Sequence, residues 1–65
     1  MVNIEDNIKI LLKLFNATKY DLVISKSKNL IRKFPQYLIL YNILGSAYQN
    51  IGSLNLARKI FIKGL

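Results

Sequence analysis

Apolar residues recur with the period of a helix from the start of this chain. Ile4, Ile8, Leu11, Leu12 and Phe15 share one stripe, while Asp6, Lys9, Lys13 and Asn16 share the opposite one, which predicts an amphipathic helix. Thr18 and Asp21 stand three residues apart ahead of Leu22, Val23 and Ile24. That spacing resembles a capping box with Asp in place of Glu or Gln, and it predicts a second helix that continues through Leu30 and Ile31 to about Lys33. Pro35 lacks the amide hydrogen a helix needs and biases Phe34 away from helical backbone, so the chain must turn there. A third helix is expected over about Tyr37 to Asn50, with Tyr41, Leu44, Tyr48 and Ile51 on one stripe. Gly52 and Ser53 then supply a break and an N-cap for a fourth helix from about Leu54 to Lys63. Sustained alternation of apolar and polar residues, the mark of a strand, occurs nowhere. The breaks at Ala17-Thr18, Phe34-Pro35 and Ile51-Gly52 are short enough to force antiparallel neighbours. The step from the first break to the third, Ala17 to Ile51, is an internal repeat period.

Composition narrows the chemistry. The 65 residues include no Cys and no His, so disulfides, thiolate zinc sites and imidazole bases are all missing. No redox or nucleophilic-triad enzyme, cofactor or metal is expected. Glu5, Asp6 and Asp21 are the only carboxylates, and the adjacent Glu5 and Asp6 point different ways on a helix, so they form no acid/base pair. A 52% hydrophobic content with only 20% charged residues is the reverse of the disordered signature. The longest apolar run, Tyr37 to Tyr41, is far too short to span a bilayer. The acidic start of the chain lacks the basic segment of a secretory signal, so the expectation is a cytoplasmic protein.

From Tyr41 the chain reads Tyr41-Asn42-Ile43-Leu44-Gly45-Ser46-Ala47-Tyr48, then Gly52, Ala57, Phe61 and Leu65. This resembles the tetratricopeptide repeat, a unit of about 34 residues whose pattern runs aromatic-x2-Leu-Gly-x2-Tyr and then Ala-x3-Phe, with Tyr41 in place of the usual Trp. One repeat earlier stands a weaker copy, in which Ile10 aligns with Leu44, Leu14 with Tyr48, Val23 with Ala57 and Leu30 with Gly64. Tyr20 and Pro35 stand where the family commonly has an aromatic and its closing proline. Asn7 departs from the first aromatic, and Leu11 and Val23 from the small pair, so the first hairpin is expected to splay wider than the second. The resemblance implies one all-α domain over residues 1–65, with repeat one at about 4–37 and repeat two at about 38–65. Two antiparallel helix-turn-helix hairpins would stack as an α-solenoid, a right-handed superhelix. Such repeats bury their faces against neighbours, and about three are needed for stability. The expectation is a piece of a longer array, or self-association through the open C-terminal end.

Residues 34–57 carry no charge. Within them Asn42, Ser46, Gln49 and Asn50 form a neutral polar stripe at helical spacing. The resemblance places these four, with Ile39, on the concave groove lined by the first helix of each repeat, where amide side chains can donate to and accept from a peptide backbone. The plainer reading is a solvated face. The corresponding residues of the first helix, Glu5, Ile8, Leu12, Phe15 and Asn16, read as the core-facing side of an end helix, with an apolar pocket as the second reading. Neither helix has the Lys, Arg and Asn set of family members that clamp a carboxylate.

The formal charge is +7. Most of it sits on Lys26, Lys28, Arg32 and Lys33 of the second helix and Arg58, Lys59 and Lys63 of the fourth. Solubility of an apolar chain accounts for this surface. Binding to nucleic acid or an anionic membrane is the weaker reading, because no aromatics are interleaved with the cations. The functional expectation is a module that binds a protein or peptide. Another is the N-terminal repeat segment of a larger enzyme, such as a glycosyltransferase or sulfotransferase, with catalysis outside this chain.

Overall fold

The computed structural model describes residues 3–64. Met1, Val2 and Leu65, the last of which closes the second repeat pattern, lie outside the described residues. Four helices follow the hydrophobic periodicity: α1 (Ile4–Asn16), α2 (Tyr20–Lys33), α3 (Leu38–Asn50) and α4 (Leu54–Lys63). Among the described residues there is no strand. α1 begins at Asn3, whose side-chain oxygen accepts the Asp6 amide at 2.8 Å. Glu5 and Asp6 in its first turn and Lys13 in its last complement the helix dipole. Between α2 and α3 the chain turns at Pro35. Phe34 and Tyr37 meet edge to face at 5.9 Å there, and the Tyr41 hydroxyl donates to the Pro35 carbonyl at 3.2 Å.

α3 is the organising element because its two sides bury different partners. Leu40, Ile43 and Ala47 join Leu11, Val23 and Leu30 of the first two helices in one core, and Leu44 and Tyr48 join Ala57 of α4 in a second. All nine of these residues are buried. The helices form a slab of 35 × 26 × 13 Å. Its radius of gyration, 10.9 Å, is that of a compact chain of this length, about 11 Å. α3 runs close to both α2 and α4, whereas α1 approaches α2 over a smaller part of its length.

The two hairpin turns are copies of each other. In the first, the amides of Ala17, Thr18 and Lys19 donate to the carbonyls of Lys13, Phe15 and Leu14. In the second, the amides of Ile51, Gly52 and Ser53 donate to Ala47, Gln49 and Tyr48. Every donor and acceptor of the first set maps onto the second by the step that carries Ala17 to Ile51. Each turn is a Schellman closure, in which the residue after the C-cap takes a left-handed backbone. In the second turn that residue is Gly52, at φ 84°, and in the first it is Thr18, at φ 59°.

This geometry corrects the expected capping box. Thr18 is used up closing α1, its hydroxyl donates to the Ala17 carbonyl, and α2 starts from Lys19 with no side-chain cap. Ser53 does stand at the N-cap of α4 but makes no side-chain capping bond. A β-branched residue in the left-handed region is strained by roughly 1–2 kcal/mol. Thr18→Gly is therefore expected to stabilise the chain by about 0.5–1 kcal/mol, after the greater freedom of glycine in the unfolded state is subtracted. A thermal melt would show this as a rise of several degrees; an unchanged or lower midpoint would contradict the strain.

The same repeat step pairs Leu11 with Gly45 and Ser27 with Phe61. In the second hairpin Gly45 lies directly under the Phe61 ring, since a Cβ on Gly45 would stand 2.7 Å from its Cδ1 and Cζ. In the first hairpin the large residue is on the first helix and the small one on the second, and both Leu11 and Ser27 are fully buried. The Ser27 hydroxyl has no hydrogen-bond partner. An unpaired buried hydroxyl costs about 1–3 kcal/mol, so Ser27→Ala is expected to raise stability by about 1 kcal/mol. A denaturant midpoint that falls would show that the hydroxyl is satisfied in solution.

Candidate functional site

α1 and α3 lie side by side, and between them sits a shallow hollow of about 180 Å³ lined by Leu12, Phe15, Asn42, Ile43 and Ser46. The same helical spacing that sends Leu40, Ile43 and Ala47 into the core turns Asn42 and Ser46 outward. On α1, Leu11 is buried while its neighbour Leu12 remains 44% exposed, because the apolar stripe of this helix is wider than the surface α2 and α3 cover. Phe15 is half-buried and meets the ring of Tyr20 edge to face at 5.3 Å, which fixes one wall of the hollow. The result is an apolar surface of Leu12 and Phe15 bordered by one amide and one hydroxyl. Such a surface can hold an apolar side chain while Asn42 both donates to and accepts from the backbone that carries it.

The five residues anticipated as a groove do not converge. Asn42 and Ser46 share the hollow. Ile39, one turn earlier on α3, is 43% exposed and is not among its lining residues. Gln49 lines a different hollow, on α4, with Leu54, Ala57 and Phe61. Asn50 is tied into the fold: its amide donates to the Ser46 carbonyl at 2.8 Å, and its oxygen accepts the Tyr20 hydroxyl at 3.3 Å. Leu12 and Phe15, read from the sequence as core first, both line the hollow; Leu12 is exposed, whereas Phe15 also packs against the core. The signal for them was the repeat period, since they stand one repeat before Ser46 and Gln49.

The basic residues gather elsewhere. Lys28, Arg32 and Lys63 rim a hollow of about 290 Å³ between α2 and α4, with Tyr41 and Leu44 also lining it. The Lys28 ammonium lies 5.8 Å from the centre of the Tyr48 ring, within cation–π reach. Among the described residues no group of three His, Cys, Asp or Glu side chains is placed to hold a metal ion. No described helix is long and apolar enough to cross a membrane. Comparison of the chain with known protein families, with curated proteins and with solved structures returned no match.

Proposed function

We propose that this chain is a protein-interaction module built as two tetratricopeptide-like repeats in a right-handed stack, and that it binds a peptide segment between α1 and α3. One observation carries the reading: Leu12, Phe15, Asn42 and Ser46, drawn from the first helix of each hairpin, surround a single surface hollow. Support for the repeat assignment comes from the two turns, whose hydrogen bonds match at one repeat step. An apolar side chain of the partner enters the hollow, and the Asn42 amide holds the adjacent backbone. On this reading the cations of α2 and α4 keep an apolar slab in solution.

Peptides selected by display against the full chain test the proposal. Each net hydrogen bond contributes about 1 kcal/mol, so Asn42→Ala is expected to weaken selected peptides about fivefold. Leu12→Lys, at an exposed position, is expected to remove binding while leaving the helical circular dichroism spectrum in place. Selected peptides that bind both variants as tightly as the parent chain, or a selection that yields none, would refute the groove.

A further inference from the structure

The internal packing of this chain defines what its far end can receive. α3 sits on the first hairpin by placing Leu40, Ile43 and Ala47 in one core with Val23, against which Phe15, Tyr20 and Ile24 also pack, all half-buried or buried. One repeat step carries Phe15, Tyr20, Val23 and Ile24 to Gln49, Leu54, Ala57 and Arg58. These four residues, with Phe61 and Ile62, line an open hollow of about 420 Å³ on α4. Leu54 and Ile62 there are 62% and 61% exposed, more than any other large apolar residue of the described chain. The second hairpin thus offers a counterpart of the seat on which the first holds α3, with Gln49, Leu54, Arg58 and Ile62 exposed among the described residues.

The opposite end does not match this seat. One repeat before Leu40, Ile43 and Ala47 stand Asp6, Lys9 and Lys13, all exposed on α1. A second copy docking its α1 as α3 docks would bring the ammonium groups of Lys9 and Lys13 onto an apolar floor beside Arg58, where the single carboxylate of Asp6 cannot offset the desolvation of three cations. Net charges of +7 on both copies add repulsion. Continuity with the α2–α3 interface therefore specifies an occupant other than the α1 helix of a second copy.

We infer that the α4 face is a second interaction surface, which takes an amphipathic helix of a partner protein. That helix carries apolar residues spaced as Leu40, Ile43 and Ala47, the last of them small. It is apolar again where α3 has Asn50, because Leu54 replaces the Tyr20 whose hydroxyl meets Asn50. Its flank is acidic, facing Arg58 on a chain that has no carboxylate side chain after Asp21. The surface is separate from the groove between α1 and α3, and its test does not depend on the groove.

The probe is a synthetic peptide with the sequence of residues 36–51, an Asn50→Leu change and two added glutamates at each end. Titrated into the full chain, it is expected to shift the amide resonances of Leu54, Ala57 and Phe61 and leave that of Asn42 unmoved. Leu54→Glu with Ile62→Glu is expected to weaken its binding at least tenfold, and a peptide of residues 3–17 is expected not to bind. Both substituted positions are exposed, so the fold should tolerate the change. If that variant nonetheless unfolds, the resonance map of the parent chain decides the matter. Absence of binding, binding that the double variant leaves intact, or shifts centred on α1 would overturn the inference. So would head-to-tail association of the chain alone at tens of micromolar that Leu54→Glu abolishes, since the occupant would then be a second copy.

Discussion

Leu40→Ala is expected to leave the chain largely unfolded at room temperature. Leu40 is fully buried and packs with Leu11, Val23 and Leu30, so it joins the third helix to both helices of the first hairpin. Truncating a buried leucine costs about 2–5 kcal/mol, the upper part of that range where the site cannot collapse. A core in a chain this short rarely supplies more than about 3–5 kcal/mol in total. With no cysteine to form a disulfide that makes up the difference, a single truncation consumes most of the margin. The control lies two residues away: Leu38 is 58% exposed, and Leu38→Ala should change stability by less than about 0.5 kcal/mol. Thermal circular dichroism separates the two. A cooperative melt for Leu40→Ala within a few degrees of the parent would mean that each hairpin stands without the other.

The helices were legible because three kinds of signal agree. The 3.6-residue stripes place their faces, Pro35 ends the second, and Gly52 supplies the left-handed residue that ends the third. Legibility failed at Thr18, where two rules compete for one residue. Thr followed three residues later by an acid matches a helix start, yet the backbone there performs a helix end, and only the position of Gly52 one repeat later points to it. Leu12 was obscure for a related reason. Periodicity shows which side of α1 is apolar, but not how much of that side its neighbours cover. The polar stripe of α3 divides for reasons that no spacing reveals, since Asn50 is engaged by Tyr20, far earlier in the chain, and Gln49 faces the uncovered end. What spacing did reveal is a step that relates the hydrogen bonds of the first turn to those of the second.

The exchange of large and small residues between the hairpins leads to the other large expected effect. Gly45→Leu should unfold the chain, although leucine is the better helix former by nearly 1 kcal/mol. The first added carbon already falls 2.7 Å from two atoms of the Phe61 ring, where carbon atoms need about 3.5–4.0 Å. Phe61 packs against the buried cluster of Leu44, Tyr48 and Ala57, so withdrawing the ring gives up those contacts. Overpacking of this kind costs about 1–3 kcal/mol and sometimes more, again comparable to the whole stability of the chain. Leucine at this position is not foreign to the architecture, however. One repeat earlier Leu11 occupies it, fully buried, with Ser27 where Phe61 would stand. The two pairs have nearly equal summed volume, and volume-conserving exchanges usually cost less than about 1.5 kcal/mol. Adding Phe61→Ser to Gly45→Leu is therefore expected to restore a cooperative melt, whereas Phe61→Ser alone leaves a void and lowers the midpoint. The double variant thus melts above either single variant, a coupling of about 2–3 kcal/mol. Were it less stable than both, the two hairpins would not share one packing scheme, and the correspondence between repeats would end at the backbone of the turns.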